Sequence, residues 1–414
     1  MVQIQRKQYL DFLIRYKEEQ IIKVVTGVRR CGKSTLFELY RDYLLTNGVN
    51  SSQIIMINFE DVEYEDLLDY RALYNYIKEQ LLPDKMNYIF LDEIQHVAEY
   101  EKAVDSLFIK KNCDVYITGS NAYFLSGELA TQLSGRYIEL SMLPLSFKEF
   151  CQGLSDSKMS NTEKFNLYLE IGAFPFILSH GYRRKEAREY LQGIYDTVLL
   201  NDVVKRKKIT DVTMLKNVTK FLMHNIGTRF SPTKIANTMK SSGNPIDQKT
   251  VNRYIEGLTE CLMFYEATRY NIKGKQILTQ QNKYYTADIG LRNILVRNSE
   301  SDIGHILENI VYLELIRRGY EVYVGQLDDN SEIDFVTIDG ENVAYYQVSA
   351  STLDELREKE KETLDEKTLE RELAPYKKVK DNYPKYLLTL DEVFREANYE
   401  GIQKLNVIDW LLKE

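Results

Sequence analysis

Short β-branched runs alternate with helical stripes of apolar residues through the first 150 positions of the chain. Residues 21–26 (IIKVVT) read as a short buried strand, and the segment after them carries Leu36, Leu39, Tyr40 and Tyr43 at helical spacing. Further strands are predicted at residues 53–61 (QIIMINFED), 88–91 (YIFL) and 114–122 (DVYITGSNA). Residues 151–200 are mostly helical, with Gly172 and Pro175 forcing a sharp stop inside LYLEIGAFPFIL. Next comes a short helix at SPTKIANTMK, with Ser231 as its N-cap and Pro232 at its first position. The loop SSGNPI leads to a second helix capped by Asp247, and two strand-like runs follow around a turn near Gly274. Helix, turn, helix and hairpin in that order predict a winged helix-turn-helix.

The last third opens with Ile306, Ile310, Leu313 and Ile316 at helical spacing, running into a strand. Two more strands, SEIDFVTIDGEN and VAYYQVSAS, meet at an Asp339–Gly340 turn. The charged stretch 351–373, with like-signed pairs such as Glu358 and Glu362, predicts a solvated helix or flap. YPKYLLTL is expected to close the sheet, and residues 401–414 to form a final packed helix around Trp410.

Composition narrows the class. At 414 residues the chain is long enough for two or three cores, and no run approaches the roughly 18 apolar residues of a membrane span. The charged amphipathic N-terminus lacks a signal-peptide core, which predicts a cytoplasmic protein without a membrane partner. Four cysteines without paired spacing indicate neither zinc nor a disulfide framework. Cys31 stands where a helix N-terminus would lower a thiol's pKa. The net charge of −8 argues against a generic polyanion binder, yet residues 201–300 hold 17 Lys and Arg against 8 Asp and Glu. Within that basic block Lys249, Asn252 and Arg253 would line a recognition helix, and Lys273 and Lys275 the wing, as DNA contacts. The bland alternative is a packing module whose lysines are merely solvated.

The sharpest chemistry lies at GVRRCGKST: Gly27, Val28, Arg29, Arg30, Cys31, Gly32, Lys33, Ser34 and Thr35. Between a predicted strand and a predicted helix, such a loop curls its N–H groups around phosphate oxygens. Lys33 would reach the β- and γ-phosphates of ATP, and the Ser34 hydroxyl would ligate Mg²⁺. Downstream, YIFL ends in Asp92, a second Mg²⁺ ligand, and Glu93, placed to polarise an attacking water. An extra strand should separate the loop's strand from that of Asp92. Thr118, Ser120 and Asn121 end the next strand, where they could touch the γ-phosphate or cap the following helix. Arg29 and Arg30 could offer charge to the phosphates from within the loop.

GVRRCGKST, LDEIQ, ITGSN, LSGRYIEL and PLSFKEF, in that order, resemble a bacterial and archaeal branch of the AAA+ ATPases with a C-terminal restriction-endonuclease-like region. The resemblance implies an α/β, P-loop, three-layer core and makes Ser120 and Asn121 the sensor segment. It implies that Arg136 is an arginine finger reaching a neighbouring copy in a homo-oligomer; the plain alternative is a solvated salt bridge. It also makes 151–210 a lid, hinged near Gly172. The domain plan is then 1–150 ATPase core, 151–210 helical lid or linker, 211–296 winged helix, and 297–414 nuclease-like domain.

Metal-dependent members of the nuclease-like fold need an acid on the helix, an acid on the hairpin, then an acid or Gln and a Lys one residue apart. Glu308, Asp334 and Gln347 fill three positions, but Ser349 stands in the fourth, so the domain is expected to be degenerate unless a lysine comes from elsewhere, with Arg371 and Lys385 as candidates. The function expected is Mg²⁺-dependent ATP hydrolysis coupled to binding or remodelling of DNA. The alternatives are a nucleotide-gated protein-interaction switch and an ATP-regulated nuclease.

Overall fold

The computed structural model describes residues 4–120, 133, 135–181, 183–297, 302–328, 331–351, 366–393 and 395–413, and two compact units divide them. The first comprises residues up to Pro144 together with Phe174–His180 and Glu260–Leu262. Its elements are α1 (Lys7–Arg15), β1 (Ile22–Thr26), α2 (Lys33–Thr46), β2 (Ile54–Asn58), α3 (Tyr70–Gln80), β3 (Asn87–Asp92), α4 (Tyr100–Phe108), β4 (Cys113–Gly119) and β5 (Tyr137–Ser141). The five strands form a wholly parallel sheet in the order β2-β3-β4-β1-β5. The extra strand between the phosphate-loop strand and the Asp92 strand is β4. β1 and β3 are buried along their whole length, as strands covered by helices on both faces must be.

On one face Ile22, Val24, Ile89, Leu91 and Ile117 pack with α3 and α4 through Leu73, Ile77, Val104 and Leu107. The opposite face is aromatic: Phe37 and Tyr40 of α2 lie against Phe90 and Tyr116, and the rings of Phe90 and Tyr116 stack 4.8 Å apart. Burial of such side chains contributes about 1.5–3 kcal/mol each, and here it seats α2 across β3 and β4. The buried stripe of α2 is Leu36, Phe37, Tyr40 and Leu44, so Leu39 and Tyr43 sit at its margin instead of within it.

The second unit carries α5 (Phe147–Gly153), α6 (Asn161–Ile171), α7 (Arg184–Thr197), α8 (Val212–His224), α9 (Pro232–Ser241) and α10 (Gln248–Glu260). They are followed by β6 (Phe264–Asn271), β7 (Gln276–Thr286), α11 (Ile289–Leu295), α12 (Ile303–Arg317), β8 (Glu321–Gln326), β9 (Glu332–Asp339) and β10 (Asn342–Val348). The chain closes with α13 (Glu366–Leu373), β11 (Lys385–Thr389), β12 (Glu396–Tyr399), β13 (Ile402–Asn406) and α14 (Val407–Leu412). The expected caps are in place: Ser231 accepts from Lys234 N, and Asp247 from Thr250 N. The Glu358–Glu362 stretch lies outside the described residues.

Two expectations change here. YPKYLLTL does not close the sheet, because β13 pairs with β11 and β12 pairs with β13 beyond it; the first half of the expected terminal helix is strand β13. The hairpin β6–β7 also belongs to that sheet. β6 pairs in parallel with β8, giving one eight-stranded sheet in the order β12-β13-β11-β10-β9-β8-β6-β7. Residues on either side of the expected boundary at 296 and 297 therefore share one sheet.

α6 stops at Gly172 because that residue takes a φ of +77°, where a side chain is strained. A Cβ there would also lie 2.3 Å from a carboxylate oxygen of Asp288, whose oxygens accept from Ala173 N and Leu291 N. Burial raises the Asp288 pKa to about 6 although these N–H groups oppose the shift. Gly172→Ala should cost roughly 2 kcal/mol. A denaturant midpoint equal to that of the parent protein would remove this account of the stop.

Candidate nucleotide site and acid cluster

β1, β4 and β3 end at one edge of the parallel sheet, and three groups of residues meet there. Gly27 leaves β1 with its Cβ position 2.4 Å from the Met142 carbonyl oxygen, so no side chain fits at the first position of the loop. Gly32 (φ +108°) then turns the chain into α2, whose first-turn N–H groups have no intrahelical acceptor. Val28 and Cys31 are buried under the loop, while Arg30, Ser34 and Thr35 are exposed. Burial raises the Cys31 thiol pKa, against the lowering expected of a helix N-terminus, because desolvation of a thiolate outweighs the nearby positive charge of Lys33. Arg29 forms an ion pair with Glu60 at 2.5 Å.

Lys33 Nζ donates to the Gly27 carbonyl (3.0 Å) and the Ser120 hydroxyl (3.2 Å), and lies 3.3 Å from Glu93. Ser120 donates in turn to the Glu93 carboxylate at 2.6 Å, as does Gln95 at 2.5 Å. Burial would raise the Glu93 pKa, but Lys33, Ser120, Gln95 and Arg29 outweigh it and hold the value at about 2. Glu93 adopts φ +54°, and its N–H donates to the Thr118 hydroxyl. Thr118 also donates to Asp92, which accepts from Ser34 as well. The two residues expected to hold Mg²⁺ thus touch one another and offer hard oxygen donors, a set that fits the ion. Burial raises the pKa of Asp92.

Gln95, Glu60 and His96 escaped the sequence reading; ligand atoms of Glu60, Glu93 and His96 lie within 4.8 Å of one another. Glu60 follows β2, which pairs with β3, so its place became legible only once the strand order was known. Asn121 lies outside the described residues. Arg136 precedes β5 at the end opposite the phosphate loop, roughly 15 Å away along the strand, and pairs with Asp105.

In the second unit Lys249, Asn252 and Arg253 are exposed on α10, opposite its buried Val251, Tyr254, Ile255 and Leu258. Arg253 already donates to the Lys207 and Lys208 carbonyls, and Lys273 pairs with Asp328 at 2.7 Å. Glu308 on α12 and Asp334 on β9 are both buried, and Asp334 accepts from Val348 N at 2.8 Å. Gln347 accepts from Asp334 N and donates to Glu372. Ser349 donates to the Ser351 carbonyl. Neither Arg371, paired with Glu372, nor Lys385, donating to the Asp381 and Tyr383 carbonyls, meets these acids. A lysine that does is Lys283 of β7, 2.7 Å from Glu308. Burial would lower its pKa, but Glu308 and Glu332 reverse the shift and raise it. Burial beside Glu308 drives Asp334 well above the usual carboxylate range.

Comparison with known proteins fits the first unit. Residues 19–151 match the AAA domain family, and residues 162–302 match a domain of unknown function (DUF8612). The Walker-type ATPase of Pyrococcus abyssi superposes with a TM-score of 0.51 at 15% identity, over 71% of this chain and 96% of that one, which shows a shared P-loop ATPase fold. Among the described residues no helix is long and apolar enough to cross a membrane. An uncharacterised protein of Methanocaldococcus jannaschii is 32% identical over 94% of this chain and 85% of its own length. An uncharacterised protein of Haemophilus influenzae is 39% identical over 99% of both chains, so this chain and that relative belong to one family, and residues 19–151 of this chain form an AAA ATPase domain.

Proposed function

We propose that the chain is a Mg²⁺-dependent ATPase whose hydrolysis is coupled to binding or remodelling of DNA. The observation that carries the hydrolytic half is the contact of Lys33 and Ser120 with Glu93, beside the paired Ser34 and Asp92, at the N-terminus of α2. Phosphate oxygens arriving at the loop would compete with Glu93 for the Lys33 ammonium. Glu93, ionised throughout the neutral range, would then be free to orient and polarise water while Ser120 holds its carboxylate. A Mg²⁺ ion held by Ser34 and Asp92 would neutralise charge on the phosphates. Arg136 stands too far from its own loop to serve it, which favours action on a neighbouring copy after release from Asp105.

The DNA half rests on the exposed Lys249 and Asn252 of α10 and on the positive charge of residues 201–300. A second reading, a nucleotide-gated switch acting on proteins, is favoured by the engagement of Arg253 and Lys273 in contacts within the chain. We read the C-terminal sheet as a nuclease-like fold that binds without cutting, since the hydroxyl of Ser349 is turned to its own backbone.

Lys33→Ala should abolish ATP binding, measured with a fluorescent analogue. Glu93→Gln should keep binding and slow turnover by about 10²-fold or more; hydrolysis at the parent rate would reassign the water-positioning role.

Specific ATPase activity should rise with protein concentration, and Arg136→Ala should lower it about 10³-fold. A concentration-independent rate from a monomer in sedimentation would eliminate the finger.

DNA affinity should fall as salt rises, and Lys249→Ala should lower the salt slope by roughly one unit, as loss of one phosphate contact does. If mobility shifts detect no binding with or without ATP, the partner is a protein.

A further inference from the structure

The acid cluster of the second unit contains its own cation. Lys283 leaves β7 with 5% of its side chain exposed and reaches two carboxylates at once, Glu308 of α12 and Glu332 of β9. Glu308 Oε1 accepts from the Lys283 ammonium at 2.7 Å and from the Tyr285 hydroxyl at 2.5 Å, while Oε2 faces His305 Nδ1 at 3.7 Å. The turn at Gly227 closes over that second oxygen, with its Cβ position 3.2 Å from it and 3.1 Å from the His305 nitrogen. Glu332 is equally saturated: Oε1 takes Lys283 and Oε2 takes Arg229 Nε at 2.9 Å. Asp334 Oδ2 accepts from the backbone of β10.

A divalent cation needs several oxygen ligands with lone pairs to spare and an excess of negative charge. Here Lys283 and Arg229 already compensate two of the three carboxylates. A cation entering between Glu308 and Glu332 would have to displace an ammonium held on both sides.

We propose that Lys283 is the resident cation of this cluster, an internal ammonium standing where a divalent metal would otherwise be held, and that it ties the β6–β7 hairpin to α12 and β9. The inference deepens the non-cleaving reading of the same residues by supplying its cause. One cation serves three elements: the hairpin gives the lysine, α12 one carboxylate, and β9 the other. Breaking a buried pair by removing one partner strands the remaining charge, and this is where the consequence should be measured.

The test uses the full-length chain without nucleotide. Lys283→Met should lower the thermal midpoint on the order of 10 °C, as losing one partner of a buried pair in a unit of this size implies. The double variant Lys283→Met/Glu308→Gln should recover much of that loss, because the stranded charge is gone. Mn²⁺ should raise the midpoint of the single variant more than that of the parent or the double variant. A double variant no more stable than Lys283→Met would mean that the lysine acts through its packing, and would overturn the proposal. A second measurement works even if the variants fold poorly: the parent is titrated with Mn²⁺ alone and followed by electron paramagnetic resonance. Saturable binding that Glu308→Gln removes would show an open metal site and refute a resident ammonium. Equal binding by parent and Glu308→Gln is the supporting result. Mn²⁺-dependent nicking of plasmid DNA, lost in Asp334→Ala, would overturn the non-cleaving reading as well; failure of the stability test without nicking overturns only the role of Lys283.

Discussion

Parallel pairing of β1, β4 and β3 is the constraint from which the nucleotide site follows. Because β4 stands between the other two, its last residues reach both the loop after β1 and the acids after β3. Thr118 can donate to Asp92 and Ser120 to Glu93 and still stay within reach of Lys33, because all three strands end at the same edge. No local segment could arrange this, since the pairs are 26 to 87 residues apart in sequence. The aromatic packing of α2 on Phe90 and Tyr116 supplies the second half of the geometry. It sets the helix so that its N-terminus faces the same edge.

The contact between Lys33 and Glu93 joins fold to chemistry. Both side chains are nearly buried, and each would be costly to hold there alone. Together they satisfy one another, and a phosphate that draws the ammonium away leaves a carboxylate positioned by Ser120 and Gln95. In the proposed hydrolytic role of Glu93, its release by an arriving phosphate would need no large movement, only a change of partner for Lys33.

The second unit meets a similar charge problem with a lysine from farther off in the fold. Its buried Glu308 is compensated by Lys283, on a hairpin that the sequence placed in another domain. The parallel pairing of β6 with β8 brings that hairpin onto the sheet and sets Lys283 beside Glu308. The same register joins elements that look like separate modules when read along the chain.

The sequence alone determined what depends on neighbours along the chain. The phosphate loop was legible because a glycine-rich turn between strand and helix is a local device, and so were the caps at Ser231 and Asp247, which act within three residues. Asp92 and Glu93 were legible as a pair because they end an apolar run. Tertiary structure decided what depends on distant pairing: that Glu60 and Gln95 attend Glu93, that β13 and β12 extend the sheet beyond β11, and that the lysine among the C-terminal acids is Lys283 and neither Arg371 nor Lys385. A buried charge takes its partner from whichever helix or strand the tertiary fold sets beside it, and that arrangement is fixed by burial summed over the whole core, which no single segment of sequence displays.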